Sequence, residues 1–143
     1  MQRQKLLGAA LAALLCITPV TQATAAAAEP YSIVSPLYEI ADSAWSYLNL
    51  NGSSASCSSN VRKSSAVKIT AEQYLQKQGF LWIWSTYDGA EWTKTVNANT
   101  ISMSNSKSGL TSGKYRLKTV FTLTDKNGKT ETITVYSDEK SVG

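Results

Sequence analysis

Residues 114–137 read KYRLKTVFTLTDKNGKTETITVYS, and the fold turns on how this stretch pairs with itself. Tyr115, Leu117, Phe121 and Leu123 share one parity, whereas Lys114, Arg116 and Lys118 share the other. Period-two alternation of this kind marks a strand with one buried and one solvated face. Ile133 and Val135 form the apolar set of a second strand, over Lys129–Ser137. Loop length decides whether the two apolar sets meet. A two-residue turn at Asn127-Gly128 pairs odd positions with even ones and splits the sets. A three-residue loop, Lys126-Asn127-Gly128, pairs odd with odd and keeps them together, with Gly128 in the left-handed conformation such loops need. The sequence therefore predicts the three-residue form.

The same signals extend back through the chain. Turn dipeptides recur at Asn51-Gly52, Gln78-Gly79, Asp88-Gly89 and Asn127-Gly128, separated by short runs rich in β-branched and aromatic residues. Short strands with regular turn signals predict an all-β sandwich or barrel. The expected strands are Ser54–Ser59, Ala66–Lys77, Phe80–Thr86, Glu91–Asn97, Thr100–Ser104, Lys114–Thr124 and Lys129–Ser137, with Ser104–Ser112 a polar loop. Upstream, Leu37, Ile40, Ala41, Ala44 and Leu48 match a helical spacing, with Ser35 as cap and Pro36 in the first turn. A strand from Ala44, with Ser46, Leu48 and Leu50 on one face, is the favoured alternative because Asn51-Gly52 then turns it into a partner.

The N-terminus reads as an export signal. Arg3 and Lys5 precede the apolar run LLGAALAALLCITPV, and small residues follow up to Ala28. Basic start, apolar middle and small-residue end mark a secretory signal peptide over residues 1–28, cleaved between 25 and 28. The apolar run is shorter than the ~20 residues a spanning helix needs, so the mature chain is expected to have no membrane span. Leu15 before Cys16 argues against a lipid-attachment site. Residues 29–43 form a lead-in and 44–143 the sandwich domain. Cleavage after Ala28 leaves 115 residues, enough for one core. The mature charge is then 12 basic against 10 acidic residues, or +2, which gives nucleic acid little to bind.

Composition also removes chemistry. The chain has no histidine, which excludes Ser-His-Asp and Cys-His nucleophile systems and the common zinc sites. Cys57 is the one cysteine of the mature chain, expected as a buried thiol, with an intermolecular disulfide as the alternative. The acids are scattered. Asp88 and Glu91 flank one turn, and Asp138 with Glu139 falls short of the ligand number calcium needs. Lys114, Arg116 and Lys118 make a basic stripe, joined by Lys129 and Lys140. It reads as a solvated outer face that resists edge pairing, or as a surface for an anionic polymer or lipid. Asn51-Gly52-Ser53 fits a glycosylation sequon and equally a hairpin turn. No catalytic residue, metal site or cofactor is expected.

Three of the four tryptophans fall in Phe80–Trp92, FLWIWSTYDGAEW. A two-residue turn at Asp88-Gly89 puts Leu81, Ile83, Ala90, Trp92 and Val96 on the core face and leaves Phe80, Trp82 and Trp84 as an exposed platform suited to sugar rings. A three-residue loop, Tyr87-Asp88-Gly89, instead gathers Phe80, Trp82, Trp84, Ala90, Trp92 and Val96 in the core. Burying one large aromatic is worth about 3 kcal/mol, which favours the core arrangement. The candidate ligand-binding residues are Trp82, Trp84, Tyr87 and Trp92. STYDGAEW approaches the Asp-box hairpin of sialidases, but that motif separates aspartate from glycine by one residue, and here they are adjacent.

Ser112-Gly113-Lys114-Tyr115-Arg116-Leu117 resembles the approach to the sixth strand of immunoglobulin-like domains, and Ala55-Ser56-Cys57 resembles their other cysteine-bearing strand. The resemblance implies that the Tyr115 hydroxyl ties back to the backbone and that Cys57 packs against Leu117, which stands where the family has its second cysteine. A second resemblance covers the mature chain. Leu48-Asn49-Leu50, Gly52, Ala55-Ser56-Cys57, Ile69, Leu75-Gln76-Lys77, Gly79, Trp82, Gly113–Lys118 and Glu131–Ser137 are similar to a pattern of uncharacterised small secreted proteins of Gram-positive, clostridia-like bacteria. It implies fold and export and carries no functional residues. The expectation is an immunoglobulin-like or fibronectin-like antiparallel sandwich of seven to eight strands, secreted or at the cell surface. It would act as a non-catalytic module for a cell-wall polymer, glycan or protein. The alternatives are a glycan-binding module that uses the exposed aromatics and a small secreted hydrolase or toxin.

Overall fold

The structure is a computed structural model that describes residues 32–33 and 40–143. The signal peptide read over 1–28 and the start of the helical alternative, Ser35 to Leu37, lie outside the described residues, whereas its Ala44 and Leu48 fall in a strand. Nine strands are described: β1 Ser32–Ile33, β2 Ser43–Asn51, β3 Ser54–Arg62, β4 Ala66–Gln78, β5 Trp84–Val96, β6 Thr100–Lys107, β7 Gly113–Asp125, β8 Thr130–Tyr136 and β9 Lys140–Val142. All pair antiparallel. One sheet runs β1-β8-β7-β4-β5, with β9 continuing beside β7; the other runs β2-β3-β6. The chain is all-β, and its two sheets close on each other as a sandwich.

The hairpin that opened the reading forms as predicted. Phe121 pairs with Ile133 and Thr124 with Thr130. The Asp125 N–H donates to the Lys129 carbonyl at 2.9 Å, leaving Lys126-Asn127-Gly128 as the loop. Gly128 has φ +84°, and the Asp125 side chain accepts from the Asn127 and Lys129 N–H groups. Asn51-Gly52 likewise turns β2 into β3, with Asn51 opposite Ser54 and Gly52 at φ +63°. The strand reading from Ala44 holds, one residue longer at its start. Within the expected lead-in, Ser32–Ile33 pairs with Val135–Tyr136. The expected polar loop shrinks because β6 runs on to Lys107 beside β3.

Both sheets contribute to two apolar clusters. One holds Ala44, Val61, Ile69, Ala71, Ile101, Phe121 and Leu123; the other holds Leu48, Cys57, Leu75, Tyr115 and Leu117. Between them β2, β3, β4 and β7 each place a polar residue at the same level: Ser46, Ser59, Gln73 and Thr119, all buried. Thr119 Oγ1 hydrogen-bonds Ser59 Oγ at 2.6 Å and Ser46 Oγ at 2.9 Å. Gln73 Nε2 donates to Ser59 Oγ at 2.8 Å and to the Met103 carbonyl, and its Oε1 accepts from Asn105. Buried polar groups are tolerated when paired. A one-residue slip of any contributing strand would flip its member of this belt away from the others, so the belt pins register.

The expected backbone tie of Tyr115 is present: its hydroxyl donates to the Thr111 carbonyl at 2.7 Å. Cys57 is buried in the same cluster as Leu117. Burial pushes its thiol from the ordinary 9.0 up to about 12, since the thiolate would lose its water. The folded chain therefore keeps a proton that the unfolded chain releases first. The stabilisation is complete below pH 9.0 and is lost as pH rises toward about 12. Denaturation at stepped alkaline pH should show a steeper loss for the wild type than for Cys57→Ala. Thiol reagents should label Cys57 only after unfolding; rapid labelling of the native protein would contradict its burial.

Candidate functional site: an apolar hairpin tip

The expected hairpin at Asp88-Gly89 does not form, which corrects both readings of the aromatic stretch. The turn lies earlier, at Gly79–Ile83, and β5 is one strand of the same length as β4. Gln78 pairs with Trp84, and the ladder runs down to Ile69 opposite Val96. A turn at Asp88-Gly89 would have left half of the β4 edge unpaired, so the long ladder satisfies more backbone. The local chemistry of Asp88-Gly89 is used for a bulge instead. Between the Gln76–Thr86 and Tyr74–Glu91 pairs, Leu75 faces four residues, Tyr87 to Ala90. Gly89 supplies the positive φ, +72°, that such an irregularity accommodates.

At the true turn, Gly79 N–H donates to the Ile83 carbonyl at 2.7 Å, Trp82 N–H to Gly79 at 3.2 Å and Ile83 N–H to Phe80 at 3.3 Å. The tip thus satisfies three of its donors internally. Its four side chains point into solvent: Phe80 is 85% exposed, Trp82 75%, Leu81 64% and Ile83 62%. Leu81 and Trp82 also sit in the left-handed region, at φ +59° and +60°. That conformation costs a non-glycine residue roughly 1–2 kcal/mol. Two strained residues and four solvated hydrophobic ones at a single turn oppose stability twice over, and strain of this kind concentrates at functional sites.

Directly behind the tip lies a cationic and aromatic collar. The Arg116 guanidinium stacks between the Trp84 and Tyr136 rings, 4.4 and 4.3 Å from their centroids. Its Nε donates to Gln76 Oε1 at 2.8 Å, which fixes the plane of the fork. Lys77 donates to Thr111 Oγ1 at 2.7 Å and lies over the Tyr115 ring. Lys118 sits over the Tyr74 ring. Lys114 pairs with Glu139 at 3.7 Å. The Tyr74 phenol is pushed above its ordinary value, first by desolvation and then by the carboxylates of Glu72 and Glu91. The predicted basic stripe is therefore real as a face, but Arg116 is held by rings rather than left to solvent.

The structure does not bring Trp82, Trp84, Tyr87 and Trp92 onto one surface. Trp82 is at the tip, and Trp84 lies on the outer sheet face against Arg116. Tyr87 turns inward, edge-on to Tyr115 at 5.6 Å, with its hydroxyl donating to the Gly109 carbonyl. Trp92 packs inward against both core clusters, as both sequence arrangements had it. Part of its ring reaches an open cleft of about 480 Å³ between the β5 and β6 edges, beside Glu91, Lys94 and Asn105. A single ring there gives no aromatic pair for a sugar. Sequence reasoning missed Leu81 and Ile83 as tip residues and Arg116 as the stacked cation. The signal was Gln78-Gly79, a turn dipeptide immediately before Phe80.

No known protein family, curated protein or solved structure matches this chain.

Proposed function

We propose that the chain is an exported, non-catalytic binding module of the immunoglobulin-like or fibronectin-like kind, and that the β4–β5 tip is its docking element. The observation that carries this reading is the exposure of Phe80, Leu81, Trp82 and Ile83 together with the strain at Leu81 and Trp82. Half-burying four such side chains against a partner returns roughly 4 kcal/mol, enough to offset the roughly 2–4 kcal/mol of strain at Leu81 and Trp82. The sheet order and the Tyr115 corner support the fold name, and the basic, apolar and small-residue run over 1–28 supports export. Arrayed lipids, glycans and cell-wall polymers, probed with the wild type and with a Leu81→Asn/Trp82→Gly variant, test the reading. Retention lost in the variant supports it. Retention that survives with the tip made polar contradicts it.

A further inference from the structure

We infer that the partner of the tip is the interface of a bilayer carrying anionic phospholipids, with the tip in the acyl boundary and the collar at the headgroups. This rests on the reading of the tip as docking element and names what it docks to. The chemistry and the geometry of the tip and its collar favour lipid over a folded partner.

The four exposed tip side chains, Phe80 to Ile83, carry no charge, and their one polar group is the Trp82 indole N–H. A specific protein groove is matched by directional groups as well as apolar ones, whereas hydrocarbon asks only for apolar surface. Backbone polarity is the usual obstacle to entering that medium. Here the Gly79, Trp82 and Ile83 N–H groups are already bound within the turn.

Depth agrees as well. Arg116 lies on the rung of Gln76 and Thr86, three residues behind Ile83. At about 3.3 Å per residue this is roughly 10 Å, and amphipathic surfaces enter the headgroup and acyl boundary by roughly 5–10 Å. Trp84, two rungs nearer the tip, and Tyr136, two rungs farther back, are the ring types favoured at the membrane–water interface, and their rings close on Arg116 from either side. The stack aims a cation that pairs with no carboxylate among the described residues. Lys77, one residue nearer the tip, is likewise without a carboxylate. Both suit phosphate oxygens. Glu139 offsets Lys114, and Glu72 and Glu91 lie farther back beside Tyr74.

Sedimentation with phosphatidylcholine vesicles, with and without phosphatidylglycerol, tests the assignment on the chain as secreted. Wild type should bind the anionic vesicles and shift its tryptophan emission to the blue. Trp82→Ser should weaken partitioning at least about tenfold. Lys77→Gln and Arg116→Gln should each weaken it about fivefold on anionic vesicles only. Lys126→Gln, at the opposite end of the sandwich, should leave it unchanged, and thermal melts of each variant separate loss of binding from loss of fold. No binding to anionic vesicles, while retention on another surface still depends on the tip, overturns the lipid assignment and leaves the docking element standing. Equal binding to neutral and anionic vesicles overturns the headgroup role of the collar. Vesicle binding unaffected by Trp82→Ser overturns both readings.

Discussion

A Leu81→Asn/Trp82→Gly variant should unfold less easily than the wild type, by about 1 kcal/mol, while its affinity for the docking surface falls roughly a hundredfold. The two effects have one origin. Leu81 and Trp82 occupy left-handed φ values that asparagine and glycine adopt at little cost. They also expose apolar area that nothing among the described residues covers. Removing both relieves strain and removes solvated hydrocarbon, so the folded domain gains. Part of the gain is returned because glycine loosens the unfolded chain. A turn kept only for folding would show no such trade. Denaturant melts give the stability change, and equilibrium binding to whichever surface retains the wild type gives the second. A variant both weaker in binding and clearly less stable would mean that the tip packs against the domain and that its exposure is misread.

Gln73→Leu should lower unfolding free energy by about 2–4 kcal/mol despite adding an apolar side chain to an apolar layer. Gln73 is fully buried, and it joins β4 to β3 and β6 at once. Leucine leaves Ser59 and the Met103 carbonyl without their donor and Asn105 without its acceptor. In a domain of this size, each kcal/mol moves the melting temperature by roughly 4–8 °C. A thermal scan therefore reads the effect easily. Replacement of Ser46, Ser59, Gln73 and Thr119 together by apolar residues of similar volume should cost much less than the sum of the four single changes, since no belt hydroxyl is then orphaned and only the Met103 carbonyl and Asn105 lose a partner. A Gln73→Leu domain as stable as the wild type would show that the belt contributes neither stability nor register.

Much of the sandwich was legible because its signals are local. The odd parity of Tyr115, Leu117, Phe121 and Leu123 fixed the β7 face, and matching it to Ile133 and Val135 fixed a three-residue loop. Asn51-Gly52 placed the β2–β3 turn for the same reason. The tip was not legible, although its residues were singled out. Asp-Gly supplies positive φ to a hairpin or to a bulge alike, and only the full length of β4 decides between them. That is information held in a different strand. The preference for burying indoles also misled, because it compared two registers of a hairpin that does not exist. The polar belt left a fainter trace: Thr119 interrupts the apolar parity of β7, and Ser46 stands beside Leu48 on the inner face of β2.

Trp82 emission in solution tests the central claim most directly. The spectrum lost on going from wild type to Trp82→Phe belongs to that one ring. The account predicts a red-shifted component that acrylamide quenches freely, as for an indole standing in water before any partner is added. A blue-shifted component shielded from quencher would contradict it, placing the ring inside the sandwich and leaving the domain without its docking element.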